Sequence, residues 1–203
     1  MKKGLIIGIE GIDAAGKRTQ TSLLRAWLRQ KGVQTKTLSF PDYKTHLGIA
    51  LKSFLSRKRS YSPRVQHMLF AANRWEKREA IEKYLSQGNT LIIDRYTESN
   101  LAYGVANGLP LDWLISLEEG LPRTSLVIVL DAPTTKIFNR RTHRKDKYEE
   151  DLTLQERAKT IYLELAKRFG WVVIDGGEES QTVHMSVVKT VSKHLSITTG
   201  QTI

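Results

Sequence analysis

Gly11-Ile12-Asp13-Ala14-Ala15-Gly16-Lys17 brings two glycines, a carboxylate and an ammonium into seven consecutive residues. Glycines let backbone N–H groups turn onto an anionic group without side-chain clash. A helix beginning near Arg18 adds partial positive charge at its N-terminus. The apolar run Leu5 to Ile9 precedes the loop. Strand, glycine loop and helix in that order make a phosphate-binding loop. One position departs from the pattern: Arg18 stands where Ser or Thr is expected, and Thr19 comes one residue later.

Three further groups could work with such a loop. Asp94 and Arg95 close the apolar run Thr90 to Ile93. In a parallel sheet, side chains just past the strand ends line the binding crevice, so this pair faces the loop if the two strands are neighbours; an internal ion pair is the other reading. Phe70 and Arg74 lie one helical turn apart. They could stack on a flat ligand and donate to its carbonyl oxygen, or belong to a central helix packed on both sides. Lys136, Arg140, Arg141, Arg144, Lys145 and Lys147 crowd one short stretch. The five histidines, at 46, 67, 143, 184 and 194, form no metal-binding or nucleophilic constellation and read as structural or surface residues.

The elements that must position these groups follow from the apolar spacing. Leu23, Leu24, Trp27 and Leu28 make a helix that Gly32 stops, and Val33 to Phe40 reads as a second strand ended by Pro41. Leu47, Leu51, Phe54 and Leu55 mark a short amphipathic helix. Ser62-Pro63 starts a helix that runs to about Ser86, with Val65, Met68, Leu69 and Ala72 on its buried face. Helices are expected over Leu101 to Asn107 and Leu111 to Glu119, then a strand over Leu126 to Leu130 ending at Asp131. Thr153-Leu154-Gln155-Glu156 reads as a capping box opening a helix that Gly170 ends. A last strand, Trp171 to Ile174, precedes a helix over Thr182 to Leu195, and Ser196 to Ile203 is expected to fray. Apolar strands alternating with helices give an α/β fold with a parallel sheet covered on both faces. One domain over 1–203 is expected, with a mobile basic lid at about 142–151.

Composition narrows the function class. The formal net charge is +11, which points to nucleotides or nucleic acid as partners. No nucleic-acid motif or aromatic stacking segment accompanies the charge, so direct nucleic-acid binding is disfavoured. No apolar run approaches the length of a membrane span, and a signal-peptide reading of the N-terminus fails. The chain contains no cysteine, which excludes disulfides and thiolate metal sites and is compatible with the cytoplasm.

Gly11 to Lys17, Phe40-Pro41, Phe70-Ala71-Ala72-Asn73-Arg74, Asp94-Arg95-Tyr96 with Ser99, and the basic stretch occur in the order found in thymidylate kinases. From Leu5 to about Leu195 the chain resembles that family. The resemblance implies a five-stranded parallel sheet of the P-loop NTPase type, a homodimer, and transfer of the γ-phosphoryl of ATP to dTMP with Mg²⁺. It implies that Gly11, Ile12, Asp13, Ala14, Ala15, Gly16, Lys17, Arg18 and Thr19 hold ATP, with Arg140 on the adenine. It implies that Phe70 stacks on thymine, Arg74 reaches its exocyclic oxygen, and Arg95 contacts the dTMP phosphate. Asp13, Ser99, Phe40 and Leu55 join the dTMP pocket, and Tyr103 and Tyr148 crowd the sugar; plain core packing is the other reading of both tyrosines. Asp13 and Asp94 lie by the phosphates and Mg²⁺, and Lys17, Asp13, Asp94, Arg95, Arg140, Arg141 and Arg144 make up the catalytic set.

Two departures sharpen the expectation. Asp42-Tyr43-Lys44 stands where relatives often carry an arginine after the proline, leaving Lys44 as a candidate for the acceptor phosphate. Arg18 cannot ligate a metal, because a guanidinium only donates. It is expected to contact phosphate oxygens and take over part of the neutralisation that magnesium supplies; an Arg18 that points outward while Thr19 or water compensates, and a catalytically impaired chain, are the other readings. A kinase for dUMP or UMP, and a P-loop ATPase stimulated by nucleic acid, are the alternatives.

Overall fold

The computed structural model describes residues 4–135 and 147–197. Five parallel strands form one sheet in the order β2-β3-β1-β4-β5: β1 (Leu5–Glu10), β2 (Thr35–Ser39), β3 (Thr90–Asp94), β4 (Leu126–Asp131) and β5 (Val172–Asp175). The order reverses at β1, whose neighbours are β3 and β4. A crevice opens outside the strand ends at such a switch point. The loop after β1 and the Asp94-Arg95 pair after β3 therefore meet there, Ile9 pairing in register with Asp94.

Alternation along the strands divides the core between the two faces of the sheet. Ile7, Ile9 and Ile92 join a large cluster that includes Leu24 and Leu28 of α1 (Lys17–Gln30) and Val183, Val187 and Val191 of α9 (Ser180–Leu195). Ile6, Leu91 and Ile93 face a smaller cluster with Ile81 and Leu85 of α4 (Arg78–Ser86), closed by Phe40 and Tyr96. The remaining helices are α2 (His46–Leu55), α3 (Pro63–Trp75), α5 (Thr97–Ala106), α6 (Leu111–Glu118), α7 (Lys147–Glu150) and α8 (Leu152–Phe169). The fold is the expected α/β P-loop architecture.

Local expectations fail in three places, each for a physical reason. The single helix expected from Ser62 to Ser86 is two helices. The break falls at Glu76 and Lys77, where Asn73 donates to Glu76 and Lys77 pairs with Asp42 at 2.8 Å. The buried face of α3 is also the reverse of the expected one. Val65 and Met68 are 39% and 46% exposed, whereas Gln66, His67, Ala71, Asn73 and Arg74 are buried. Apolar spacing alone cannot tell a core face from a face left for another partner; here His67 and Arg74 line the crevice, while Gln66 bonds Tyr148 and Asn73 bonds Asp42 and Thr45. Finally, the capping box does not form. Asp151 caps α8, its carboxylate accepting from Leu154 N at 2.9 Å, and Thr153 and Gln155 lie inside the helix. Of the expected lid, Lys147 to Glu150 is helical with Tyr148 buried; Arg140, Arg141 and Arg144 lie outside the described residues.

Candidate active site

The donor wall is built by backbone. Gly16 caps α1 in the left-handed region at φ 95, and Ala14 adopts φ 57. Successive turns of this kind point N–H groups to one side, as anion-binding loops require. Gly11 has a different task. A Cβ there would lie 2.5 Å from the Leu130 carbonyl oxygen, so this glycine lets the loop pass against β4. Lys17 is buried, its ammonium donating to the Ile12 carbonyl at 2.7 Å. Burial, and after it the Arg95 charge, hold its pKa down to about 8 against the pull of Asp94, Asp13 and Glu10.

Arg95 joins the donor wall to the acceptor wall. It sits at φ 62, a region that residues other than glycine seldom adopt. Its Nη2 donates to Asp13 Oδ1 at 2.5 Å and its Nη1 to Ser99 Oγ at 3.3 Å, with the guanidinium over the Tyr103 ring at 5.3 Å. Ser99 donates in turn to Glu10 Oε2 at 2.6 Å, which also accepts from Tyr162 at 2.9 Å. Burial would raise the Asp13 carboxyl. Arg95 and Lys17, with hydrogen bonds from Gln155 and Arg95, outweigh it and hold the pKa at about 2. The alternative reading, an internal pair between Asp94 and Arg95, does not form: Arg95 pairs with Asp13 of the loop instead. One carboxylate oxygen of Asp94 is buried without a hydrogen-bond partner.

The acceptor wall is built by side chains from several elements around a crevice of about 540 Å³. Asp13, Ala14, Gly16, Lys17, Arg18 and Thr19 line one side. Phe40, Leu55, Phe70, Arg74, Asp94, Arg95, Ser99, Tyr103 and Tyr148 line the rest. Tyr103 and Tyr148 are stacked with centroids 5.7 Å apart, and Tyr148 lies 6.0 Å from Phe70. Arg74 is buried against Glu118: Nε donates to Oε2 at 2.9 Å, and Nη2 donates to Oε1. Every expected acceptor residue therefore reaches the crevice. Of the loop residues, Gly11, Ile12 and Ala15 lie behind it, Ile12 and Ala15 being core. Lys44 is exposed and does not line the crevice; Tyr43 does.

Gln155 is one site residue that sequence reasoning missed; His67, read as structural or surface, and Asn100 also line the crevice. The Gln155 amide gives both protons and accepts twice. Nε2 donates to Asp13 Oδ2 at 2.6 Å and to the Tyr148 carbonyl at 2.9 Å. Oε1 accepts from Asp13 N at 3.0 Å and from the Tyr103 hydroxyl at 3.0 Å. One buried side chain thus ties the phosphate loop to α5 and α7 from 142 residues away. Its position in a helical run beside Leu154 gave a signal only for capping.

The model of the family described as thymidylate kinase matches residues 9–187. The chain belongs to the thymidylate kinase family. It is 34% identical to a thymidylate kinase of Dictyostelium discoideum over 176 residues, 86% of this chain and 79% of that one. Identity to the human thymidylate kinase is also 34%, over 92% of this chain and 89% of the relative. A solved thymidylate kinase structure from Candida albicans superposes with a TM-score of 0.83 at 30% identity, covering 95% of this chain and 94% of that one. Membership of this family makes the chain a phosphotransferase and sets aside the uridylate-kinase and nucleic-acid-stimulated ATPase readings.

Proposed function

We propose that the crevice holds both nucleotides of a phosphoryl transfer, ATP along the loop and dTMP along α3 and α5. The reaction is transfer of the γ-phosphoryl of ATP to dTMP, giving dTDP and ADP. The observation that carries the residue assignment is Arg95. It is strained, paired with Asp13 of the loop, and exposed to the same crevice as Phe70 and Arg74. A monophosphate with its base against Phe70 has its phosphate directed at this junction. The second phosphate pKa is about 6, so the acceptor oxygen is already a nucleophile near neutrality. No general base is needed, and Asp13, held at about 2, is a poor one. What remains is to bring two polyanions into line. Lys17 and the loop N–H groups neutralise the donor, Arg95 the acceptor. Ala14 and Ala15 bring no charge to the loop, so we assign the charge over the transferring group to Arg140, Arg141 and Arg144.

Mg²⁺ fits this site. Among the described residues no cluster of three or more metal-ligating side chains exists. Mg²⁺ does not need one, because it usually binds one or two carboxylates together with substrate phosphates and water. The unpartnered Asp94 oxygen is suited to that role, with Asp13 beside it through water. Bound there, the ion would draw charge from the phosphates. Arg18 is exposed at the crevice and supplies donors in place of a hydroxyl ligand. Arg18→Thr is therefore expected to make dTDP formation more dependent on magnesium in a chelator-controlled titration; an unchanged, steep requirement would sink this role.

A homodimer is supported by the misplaced apolar face. Ile49 of α2, Val65 and Met68 of α3 and Ile115 of α6 are exposed on helices that pack together. We assign this surface to a second copy of the chain; Met68→Glu should convert a dimer to a monomer in sedimentation velocity. Among the described residues no helix is long and apolar enough to cross a membrane, and the cytoplasm is the compartment we propose. A panel of nucleoside monophosphates with ATP tests the reading as a whole. dTMP should give the highest kcat/KM, and UMP surpassing it overturns the assignment of Phe70, Arg74 and Tyr103.

A further inference from the structure

Behind Arg74 the polar interior of α3 continues as a directed chain of hydrogen bonds, and its direction is fixed by one carboxylate. Glu118 can only accept. Its Oε1 accepts a hydrogen bond from Asn100 Nδ2 at 2.7 Å as well as one from Arg74. That contact orients the Asn100 amide, because the opposite orientation would set two acceptors against each other. Asn100 Oδ1 must then face His67 Nδ1, 2.7 Å away, so the ring proton sits on Nδ1. The other ring nitrogen becomes an acceptor, and Asn107 Nδ2 lies 3.1 Å from it. Burial holds the His67 pKa down to about 4, against the Asn100 hydrogen bond and with the Arg74 charge. His67, Arg74 and Asn100 all line the crevice, whereas Glu118 does not.

We propose that Glu118 is a positioning residue for the acceptor-base pocket: it aims Arg74 and, through Asn100, fixes His67 as a neutral Nδ1-protonated ring. The pocket then presents a fixed pattern of donors and acceptors to the base. A buried site with fixed polarity rejects a base whose groups are reversed, because its own polar groups are left unpaired. A pyrimidine with a carbonyl opposite Arg74 fits; one with an amino group there leaves two donors facing each other. Glu118 is thus a specificity determinant that never touches the nucleotide.

The inference rests on Arg74 facing the base, and its test separates the two. Glu118→Gln replaces an obligate acceptor by a group that can turn either way. Asn100 and the His67 tautomer then lose their reference. Heteronuclear NMR of the histidine ring nitrogens at neutral pH should show His67 as the Nδ1–H form in the native chain and a mixture in Glu118→Gln. In kinetics, KM for dTMP should rise roughly tenfold, and KM for ATP should stay within about twofold. The preference for dTMP over dCMP should narrow. Glu118→Asp keeps the charge and should restore the Nδ1–H form. Where Glu118→Gln does not fold, Asn100→Ala keeps the ion pair and should release the tautomer alone. An unchanged His67 spectrum with an unchanged dTMP to dCMP ratio overturns the proposal. If Arg74 does not face the base, Arg74→Ala leaves KM for dTMP unchanged while the His67 spectrum still responds to Glu118.

Discussion

The two walls of the crevice are made by opposite means. The donor wall is one contiguous loop, and its ligands are backbone N–H groups and one lysine whose charge the fold disfavours. The acceptor wall is a buried network of side chains drawn from α3, the turn after β3, α5, α6 and α8, in which Arg74 and Arg95 each have a designated carboxylate. The difference teaches where stability is sacrificed. Donor binding is prepared by leaving Lys17 under-compensated in a dry place, so that incoming phosphates relieve an existing penalty. Acceptor binding is prepared by satisfying Arg74 and Arg95 in advance, so that they are already oriented when dTMP arrives.

Substitutions that exchange activity against stability test this contrast most directly. Lys17→Met should lower kcat/KM by about a thousandfold, the scale of losing a preorganised charge at a phosphoryl-transfer site. Yet its melting temperature should rise. The folded pKa of Lys17 is about 8 against an ordinary 10.5, so the fold works against its charged form. Arg74→Met should move both quantities downward. Activity with dTMP should fall roughly a hundredfold, and stability should fall by about 3–5 kcal/mol because Glu118 is left buried and unpaired. Parallel kinetics and thermal unfolding of the two variants decide the matter. A Lys17→Met chain that melts lower than the native one breaks the comparison.

The same contrast explains what was legible in the sequence. The donor wall could be read because its chemistry is local: Gly11, Gly16 and Lys17 are spaced by the turn they make, and the strand and helix flanking them are plain apolar patterns. The strands themselves and the place of Asp94-Arg95 just past a strand end follow from the same patterns; the sheet order does not. Of the acceptor wall, helical spacing singled out Phe70 and Arg74, and the family resemblance supplied Ser99 and Tyr103. Gln155, Glu118 and His67 stayed hidden, because partners 142, 44 and 33 residues apart leave no spacing to detect. The inverted face of α3 misled for a related reason. Periodicity reports that Val65 and Met68 share a face, not what covers it.

Gln155→Glu probes the joint between the walls. It places a second carboxylate at the position from which Gln155 Nε2 donates to Asp13, 2.6 Å away. Two carboxylates at that distance cannot both ionise freely, so one of them takes a raised pKa. Ionised, the new side chain repels Asp13 and cannot donate. Protonated, it restores one hydrogen bond to Asp13 but not the second, to the Tyr148 carbonyl. The variant should be roughly tenfold less active near pH 8. It should recover part of the loss as pH falls, a limb absent from the native pH–rate profile. A variant profile parallel to the native one would show that Asp13 does not depend on its partner at 155.

The smallest expected effect is a pH limb that belongs to one wall alone. kcat/KM for ATP reports the ionisation of the free enzyme, in which Lys17 has a pKa of about 8. Above that pH the ammonium loses its proton and the donor site loses a charge. kcat/KM for ATP should therefore fall severalfold across the window above about 8. Stability should change in the opposite sense: the unfolded chain keeps the lysine proton up to its ordinary value of 10.5, so it binds more protons than the fold in that window and stability rises with pH. Asp94 raises the Lys17 pKa, so Asp94→Asn should move the limb to lower pH. kcat/KM for dTMP at saturating ATP should lack the limb. Lys17 is then covered by phosphates, and the acceptor cation beside it is Arg95, whose pKa burial would lower but the Asp13 carboxylate holds well up. A limb of equal size in both profiles would mean that the two walls share one electrostatic environment rather than two.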